Sequence, residues 1–395
     1  MSSSRTAGQP VRLLVVGHEA SRTGSPIVLR SVIRWLAANT DWHIDIAFRT
    51  GGELLDDFVP LAASVRDLDF DHHLFRTGRR ETLAHVLQLD ALAGPAREAR
   101  LERKRGSTAG YDLVYVNSAP ALRALSSKRP HCPVVLHVHE LSHGLTSALP
   151  GESFSLLRSV PDHYIAASNA VRDHLVERVG IDDSRITVVY EFIDAPAREG
   201  REDHVGAGEL ATDHGAVVLG CGVASWRKGT DFFLQSALAS EHIRPKSDEL
   251  WVWLGSGHDI EYERFQFDIE RCGSNRVRVV PPVADPSPWM QRASVLALTS
   301  REDPFPLVVL EAALAAKPVV CFEGSGGIPE FASRGAGKVV PFGDTYAMAE
   351  TVGAILDAPA EAQRLGAKAR EIVHAHHLTP HGAPMVHAVL SGCVH

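Results

Sequence analysis

Short apolar runs recur along the chain, and a helical pattern follows most of them. Most of them are about four to six residues long and lack clean apolar-polar alternation, which is typical of strands buried on both faces. The runs are Val11–Val16, Ile44–Phe48, Leu113–Val116, Val134–Val138 and Tyr164–Ala167, then Val217–Leu219, Trp251–Leu254, Val277–Val280, Val295–Leu298, Val319–Phe322 and Val339–Val340. Such strands alternating with helices predict an α/β fold with parallel sheets.

A segment without periodicity separates the two groups of strands. Ala195–Gly208 reads APAREGREDHVGAG, in which Gly, Pro and charged residues cluster, as in a linker between domains. We therefore predict an N-terminal Rossmann-like domain over residues 1–197 and a C-terminal Rossmann-like domain over residues 198–370. Residues 371–395 are expected to form a C-terminal segment that packs back on the N-terminal domain.

The length and the net charge of the chain limit the classes of protein to which it can belong. The 395 residues, 45% of them hydrophobic, suffice for two apolar cores. The 48 acidic residues outnumber the 40 Lys and Arg, for a formal net charge of -8, which argues against a broad basic surface and against nucleic acid as a partner. An anion must therefore be bound locally by a few groups.

Cysteine usage and hydropathy exclude further classes. The five cysteines are scattered and form no C-x-x-C pair, which argues against a disulfide framework and against a cysteine zinc site. The apolar run before Gly17 is too short for a signal peptide, and no stretch approaches the roughly 20 apolar residues of a membrane span. We expect a soluble, cytoplasmic protein without a transmembrane segment.

The first strand leads into a glycine-containing loop ahead of a helical repeat. Ser25 is predicted as the N-cap and Pro26 as the first helical residue, with Gly24 just before them. Free backbone N–H groups at such a helix start bind a phosphate or lie close to a bound sugar. A purely structural glycine turn is the alternative.

His139-Glu140-Leu141-Ser142-His143 matches the HExxH pattern of zinc hydrolases. The match lies at the end of the strand VVLHVH and Gly144 follows it at once, whereas the motif needs both histidines on one helix face. A zinc hydrolase is therefore disfavoured. His139 remains a candidate because ligands of open α/β sheets bind at the carboxyl ends of strands; a plain packed histidine is the alternative.

Two further charged segments have a functional and a plain interpretation. Asp67, Asp69 and Asp71 form two overlapping DxD patterns, which suit a divalent cation but also any solvent-facing strand. The basic stretch Arg97–Arg105 is interpreted as a solvated helix or insertion, with contact to an anionic acceptor or a lipid surface as the alternative.

In the second half, Val217–Leu219 runs into a glycine turn that ends in Arg227 and Lys228 just before a helix. Two cations and free N–H donors at the carboxyl end of one strand suit a diphosphate. An ordinary turn between a strand and a helix, with exposed basic residues, is the alternative.

The stretch SREDPFPLVVLEA follows the strand Val295–Leu298. Asp303 is predicted to cap the next helix, with Pro304 and Pro306 in its first turn, where a missing N–H does no harm.

That helix start offers further groups to a ligand. The amides of Phe305, Leu307 and Val308 are then expected to face an anion. Glu311 is expected about 12 Å from Asp303 along the helix axis, a span that holds a sugar at one end and a ribose at the other. A capped helix with an incidental Glu is the alternative.

This pattern resembles the GT-B, family-4 type of retaining glycosyltransferase (glycosyl transferases group 1), whose signature commonly reads S-x-x-E-G-F-G-L-V-x-L-E-A. Lys228-Gly229-x-Asp231 resembles the K-G-x-D of that family, and His139 its acceptor-side histidine. Further similar segments are Tyr164–Asn169, Val188–Asp194 and Gly326–Glu330. The resemblance implies two Rossmann-like domains that face each other across a cleft.

The chain also departs from the family pattern. Asp303 stands where the first Glu is usual, and the adjacent Glu302 competes for its role. Val223 replaces the usual Arg of the phosphate-binding turn, Pro306 a Gly and Glu191 an Asn. These departures bear on the affinity and identity of the donor.

The resemblance implies a retaining, metal-independent transfer of a hexosyl group from a nucleotide diphosphate sugar to an acceptor hydroxyl of a natural product, a saccharide or a lipid-linked molecule. No cofactor is expected beyond the nucleotide-sugar donor. The implied catalytic residues are His139 and Asp303, and the implied donor-binding residues are Gly24, Arg227, Lys228, Val283, Phe305, Leu307, Val308 and Glu311. A nucleotide-sugar epimerase on the same fold and a non-catalytic nucleotide-sugar-binding protein are the alternatives.

Overall fold

The computed structural model describes residues 9–68, 108–125, 129–149, 154–195, 215–257 and 259–394. The chain divides into two compact units: Met1–Val189 with Gly382–His395 (unit 1), and Tyr190–His381 (unit 2). The segment Arg97–Arg105, the residues Asp69 and Asp71, and residues 196–208 of the expected linker lie outside the described residues. The domain bounds at residues 197 and 198 fall in the same gap and stay a prediction.

Unit 1 is built on a parallel sheet of seven described strands in the order β3-β2-β1-β4-β5-β6-β7. The five apolar runs predicted here are confirmed as strands. The strands are β1 Arg12–Glu19, β2 His43–Thr50, β3 Ser64–Asp67, β4 Leu113–Asn117, β5 Val134–Val138, β6 His163–Ala166 and β7 Ile186–Val188.

Helices and short helical turns connect these strands, as the alternating pattern predicts. The helices are α1 Gly24–Asn39, α2 Leu55–Phe58, α3 Ser142–Ala148, α4 Ser155–Ser159 and α5 Asn169–His174, and the 3₁₀ or π turns are Val59–Leu61, Ala119–Ala124, Leu175–Val179 and Asp183–Arg185. Every residue of β4 and β5 is buried, since helices cover both faces of the sheet centre. Polar residues then come at the strand ends, where Asn117 pairs in register with His137.

Unit 2 is built on a second parallel sheet, with six described strands in the order β10-β9-β8-β11-β12-β13. All six runs predicted in the second half are confirmed. The strands are β8 Val217–Cys221, β9 Leu250–Leu254, β10 Val277–Val280, β11 Val295–Leu298, β12 Val319–Phe322 and β13 Gly337–Val340. The helices of this half are α6 Thr230–Ile243, α7 Ile260–Cys272, α8 Ser287–Arg292, α9 Leu307–Leu314, α10 Ile328–Phe331, α11 Thr345–Leu356, α12 Pro359–His376 and α13 Thr379–Gly392, with a π turn at Ala332–Ala336.

The strand order of unit 2 positions the candidate site. β8 and β11 are hydrogen-bonded neighbours, with Val295 opposite Val218 and Leu296 opposite Leu219. Because both strands run in the same direction, the turns that follow them lie side by side at the carboxyl edge of the sheet. This is the edge at which open α/β sheets bind ligands.

Aromatic packing anchors β8 beneath this edge. The Phe233 ring meets the rings of Trp251 and Trp253 edge-on at centroid distances of 5.3 and 5.2 Å. Gly220 leaves room for this cluster, because a Cβ there would lie 2.6 Å from the Trp253 ring and 2.7 Å from the Phe233 ring. A side chain at position 220 would therefore push the end of β8 off its core.

The end of α13 belongs to unit 1, where His387 lies between two tryptophans. Its ring centroid is 5.3 Å from that of Trp35 and 5.1 Å from that of Trp42, and Ser391 Oγ is 3.0 Å from His387 Nε2. In the parts of the chain that the structure describes, no helix has the length and apolar character needed to cross a bilayer.

His387→Ala is expected to lower the free energy of unfolding by about 1–2 kcal/mol, since it removes two aromatic contacts that tie the C-terminal helix to α1 and to the start of β2. Denaturant unfolding followed by tryptophan fluorescence measures this loss. The exposed His376, replaced in the same way, is the control and is expected to change stability by less than about 0.5 kcal/mol. Equal losses in the two variants would contradict the anchoring role.

Candidate functional site

In unit 1, the loop after β1 leads into α1, which begins at Gly24 with Thr23 as its N-cap residue. The prediction that Ser25 is the N-cap and Pro26 the first helical residue is therefore wrong by two positions. The Ser25 hydroxyl has another partner: Asn117 Nδ2 donates to Ser25 Oγ at 2.7 Å and to the Ser25 carbonyl at 3.2 Å. Gly24 thus starts the helix beside the end of β4.

His139 directly follows β5, at the same edge of the unit 1 sheet. The Asn117 side chain donates through Nδ2 to the Ser25 carbonyl, so its Oδ1 is the atom that faces His139 Nε2, at 3.0 Å. His139 Nε2 must then carry the proton, and in the neutral ring the lone pair is on Nδ1. The ring also packs on that of His137, with centroids 4.1 Å apart. His139 is therefore held in one orientation and one tautomer.

The remainder of the HExxH match is structural. The helix α3 begins at Ser142, so His139 lies before it and only His143 lies within it. Glu140 accepts hydrogen bonds from Ser118 Oγ and from the backbone N–H of His139, the latter at 3.1 Å. The helical arrangement that HExxH requires is not formed, in agreement with the expectation from the strand and the glycine.

In unit 2, the turns after β8 and β11 bring the predicted cations and the first acidic residue together. Lys228 Nζ donates to Asp303 Oδ2 at 2.6 Å, and Arg227 Nη1 lies 3.5 Å from the same oxygen. The side chains of Lys228 and Asp303 are 14% and 6% exposed. Arg227 Nη1 also donates to the Glu302 carbonyl at 2.9 Å. Asp303 is the counter-ion of both cations.

Asp303 does not cap the following helix, contrary to prediction. The helix α9 begins at Leu307 with Pro306 as its N-cap residue, so Pro304 lies outside the first turn. Asp303 pairs by its backbone with Gly326 in an isolated bridge, and its N–H donates to the Ser325 carbonyl at 2.7 Å. The backbone bridge and the ion pair with Lys228 together hold Asp303 away from the helix end. The expected helical rise from Asp303 to Glu311 therefore does not apply.

The start of α9 keeps its predicted donor groups. Leu307 and Val308 are its first two residues, whose N–H groups precede the first intrahelical hydrogen bond. Over the described residues, the amides of Phe305, Leu307 and Val308 donate to no other group. The Phe305 ring is buried and stacks on His377 at a centroid distance of 5.3 Å. The helix start thus presents backbone donors on an apolar base.

Glu311 lies one turn further along α9. Burial, with the charge of Asp285 as a smaller cause, raises the pKa of Glu311 to about 7. Burial and then the Glu311 charge raise the pKa of the Cys221 thiol, at the end of β8, to about 12. Glu311 thus lies near the end of β8, and Asp285 is in the same loop as Val283, whose side chain is 38% exposed.

Gly229 joins the two turns of unit 2. Its φ of +67° lies in the left-handed region, and a Cβ there would overlap the Thr299 carbonyl oxygen. Thr299 Oγ1 donates to the Gly229 carbonyl at 2.9 Å, and the Gly229 N–H donates to the Ser225 carbonyl at 3.1 Å. No side chain fits between the turns at this point.

Gly229→Ala is expected to lower the free energy of unfolding by about 2 kcal/mol more than Gly273→Ala. Gly273 is a matched control, because its φ is +66° but nothing lies within 4 Å of the Cβ position. Both variants carry the same backbone strain, and only Gly229→Ala adds the overlap with Thr299. Thermal and denaturant unfolding measure the difference in the free energy of unfolding. Equal losses in the two variants would show that the two turns move apart without a loss of stability.

Comparison with known proteins identifies the family. The model of Glycosyltransferase Family 4 matches residues 22–195, and that of Glycosyl transferases group 1 matches residues 215–358. A D-inositol 3-phosphate glycosyltransferase 1 of Catenulispora acidiphila is 27% identical over 311 residues, which cover 70% of this chain and 74% of the relative. A D-inositol 3-phosphate glycosyltransferase of Xylanimonas cellulosilytica is 28% identical over 313 residues, 72% of each chain.

Among solved structures, Anabaena HepE in complex with UDP and glucose is similar, with a TM-score of 0.72 and 19% identity over 97% of this chain and 100% of that one. At this identity the likeness bears on the fold, which is the two-unit α/β arrangement of GT-B glycosyltransferases. The two family matches fall one on each unit, and both concern enzymes that transfer sugars. The chain belongs to the GT4-type, group 1 glycosyltransferases.

Proposed function

We propose that this glycosyltransferase moves a hexosyl group from a nucleotide diphosphate sugar to an acceptor hydroxyl, with retention at the anomeric carbon and without a metal ion. The observation that carries the proposal is the pairing of Lys228 and Arg227 with Asp303 beside the amides that start α9. Two cations and a helix start at one sheet edge suit a diphosphate.

The donor is proposed from the same arrangement. HepE was solved in complex with UDP and glucose, which supports a nucleotide sugar as the donor here. Glu311 is proposed to accept hydrogen bonds from the ribose hydroxyls, and Val283 to lie against the base. Asp303 is proposed to bind sugar hydroxyls through the oxygen that Lys228 leaves available.

The chemistry is proposed to rest on stabilising the leaving group. Negative charge develops on the diphosphate as its bond to the anomeric carbon breaks, and Lys228 with the amides of Phe305, Leu307 and Val308 offsets it. These groups and Arg227 supply the positive field that a divalent ion supplies elsewhere, which supports metal independence. In unit 1, His139 is proposed to orient the acceptor or the sugar.

Retention is proposed to follow a same-face reaction. The acceptor oxygen bonds to the anomeric carbon on the side that the diphosphate leaves, and its proton passes to the departing phosphate oxygen. Asp303 is held in an ion pair with Lys228, and Glu311 is proposed to bind the ribose, so neither is proposed as a carboxylate nucleophile. A double displacement of the kind that retaining hydrolases use requires such a group.

The test incubates the protein with UDP-, GDP-, ADP- and dTDP-hexoses and with hydroxyl acceptors that include D-inositol 3-phosphate, the substrate in the names of the relatives. Mass spectrometry detects the product, and proton NMR gives its anomeric configuration. A glycoside with the configuration of the donor, formed equally in EDTA, is the expected result. An inverted product would contradict retention, and loss of activity in EDTA would contradict metal independence.

The same assay separates the alternatives. Conversion of the donor to an epimer without acceptor would favour the epimerase. Nucleotide-sugar binding without turnover for any acceptor would favour a non-catalytic binding protein, for which the replacement of the first Glu by Asp303 gives some support.

A further inference from the structure

Two turns at the carboxyl edge of the unit 2 sheet are joined along their length. We call residues 226–231, after β8, the lysine turn, and residues 299–303, after β11, the acidic turn. Thr299 bonds to Gly229, the Arg301 N–H donates to the Arg227 carbonyl at 2.8 Å, and Lys228 pairs with Asp303. The lysine turn is therefore held by the acidic turn, and its geometry follows from these contacts.

The Arg301 side chain lies across both ends of the lysine turn. Its Nη1 donates to the Trp226 carbonyl at 2.8 Å and to Asp231 Oδ1 at 2.8 Å, and its Nη2 donates to Asp231 Oδ2 at 2.7 Å. Its Cζ lies 4.0 Å from the centroid of the Phe232 ring and 5.0 Å from that of the Trp226 ring. One guanidinium thus contacts the first and the last residue of the turn.

This placement of Arg301 restricts the residues between the two ends of the lysine turn. Lys228 is in the middle of the turn, and with residues 226 and 231 both held, its backbone has little freedom to redirect Nζ. The Arg301 fork meets the Asp231 carboxylate in a bidentate pair, which leaves it little capacity to contact a phosphate itself. Arg301 therefore acts through the turn rather than on a ligand.

The ion pair persists at neutral pH. Burial would raise the pKa of Asp231, but the hydrogen bonds and the charge of Arg301 outweigh burial and lower the pKa below its ordinary value. The Arg301 side chain is 14% exposed and that of Asp231 is 44% exposed. The guanidinium is thus mostly sequestered between the two aromatic rings, with its charge matched.

We propose that Arg301 is a positioning residue for the donor diphosphate, which holds Lys228 and Arg227 in their binding geometry, and that Asp231 anchors it. The inference rests on the proposed function, since it assumes that these two cations receive a diphosphate. Lysine cannot replace Arg301, because an ammonium group lacks the planar fork that spans a carboxylate and a carbonyl together.

A matched ion pair elsewhere in unit 2 provides the control. Arg244 also forms a bidentate pair, with Asp357: Nη2 donates to Asp357 Oδ1 at 2.8 Å, and Nη1 contacts Oδ2. This pair joins the ends of α6 and α11, away from both turns. Asp357→Asn therefore removes the same type of contact as Asp231→Asn without touching the lysine turn.

The experiment measures the Kd of UDP and of pyrophosphate by calorimetry, together with donor and acceptor KM, kcat and unfolding, for Arg301→Lys, Asp231→Asn and Asp357→Asn. Arg301→Lys and Asp231→Asn are each expected to raise the Kd of UDP and of pyrophosphate at least tenfold and to raise the donor KM. The acceptor KM is expected to stay within twofold of wild type. The double variant is expected to bind both anions no more weakly than either single variant, because each substitution breaks the same ion pair. Asp357→Asn is expected to keep the Kd within twofold.

Two results would overturn the inference: a wild-type Kd for UDP in Arg301→Lys, or losses of affinity in Asp357→Asn that match those in Asp231→Asn. Failure of the proposed function is a separate outcome, in which the wild-type protein binds none of UDP, GDP, ADP and dTDP. In that case, the rate of Lys228 acylation, measured by peptide mass spectrometry, tests the positioning role of Arg301. Faster labelling in Arg301→Lys than in Asp357→Asn supports the positioning role, and equal rates contradict it.

Discussion

Replacing Lys228 by alanine is expected to lower kcat/KM for sugar transfer by about 10²–10³-fold, or about 3–4 kcal/mol. The ammonium group is 2.6 Å from Asp303 and mostly buried, so a diphosphate at this place meets a cation in a setting of low dielectric. The charge that develops on the leaving group is greatest in the transition state. The loss is therefore expected in kcat as well as in the donor KM.

The same substitution leaves Asp303 buried beside Arg227 alone, 3.5 Å away, which is expected to lower stability. The double variant Lys228→Ala with Asp303→Asn separates the two effects, because it removes the unbalanced charge. Its unfolding is expected to recover toward wild type while transfer stays low. Lys338→Ala is the control, since Lys338 forms an exposed pair with Glu361 at 3.1 Å. A Lys228→Ala variant that transfers sugar at the wild-type rate would remove this residue from the site.

Glu311→Gln is expected to abolish a pH dependence of stability that the wild-type protein shows between about pH 4.5 and 7.5. The pKa of Glu311 is raised from its ordinary value of 4.5 to about 7, so over this range the folded protein keeps a proton that the unfolded chain has lost. Stability from this group is complete below pH 4.5 and falls as pH rises through 7, by up to about 3 kcal/mol.

Subtraction isolates the Glu311 contribution from other groups. The pKa of His377, lowered to about 4 chiefly by burial, gives stability of the opposite slope, but it is present in both proteins and cancels. The difference in unfolding free energy between wild type and Glu311→Gln is measured at several pH values, with the exposed Glu350→Gln as the control for one lost carboxylate. A difference that does not change with pH would contradict the raised pKa.

Glu311 also links nucleotide binding to protons. Ribose hydroxyls that donate to Glu311 favour its ionised form, so binding of UDP near pH 7 is expected to release about half a proton. Calorimetry in buffers of different ionisation enthalpy measures this release. Glu311→Gln is expected to bind UDP more weakly and without proton release, and release equal to that of wild type would place the titrating group elsewhere.

Most of the fold follows from the sequence because the central strands are buried on both faces. Runs such as Val295–Leu298 and Trp251–Leu254 have no polar position to obscure them. The strands β3 and β7 were not predicted, since both are edge strands with partly exposed residues such as Val65 and Thr187 and carry no continuous apolar run. Edge strands have one neighbour and one open side, so they tolerate polar residues. β10 and β13 are also edge strands, but their apolar runs made them predictable.

The candidate site was predictable where one turn carries the signal, and not where the partner comes from another strand. Arg227, Lys228 and the amides of α9 follow from local patterns. The interpretation of Asp303 as a helix cap was wrong because its partner Lys228 lies in the turn after β8, and local rules do not include that contact. Asn117 and Arg301 were missed for the same reason: their roles depend on which strands are neighbours, and this order is not readable from periodicity.

The adjacency of β8 and β11 has a consequence for folding. β9, β10 and their helices separate these neighbours along the chain, so their pairing closes a long loop, and the entropy of closure opposes it until the central strands meet. A fragment that ends before Val295 contains Lys228 but neither Asp303 nor α9. During synthesis, the proposed affinity for a nucleotide is therefore expected only after the centre of the second sheet is complete, so that nucleotide binding would report the assembly of unit 2 as a whole.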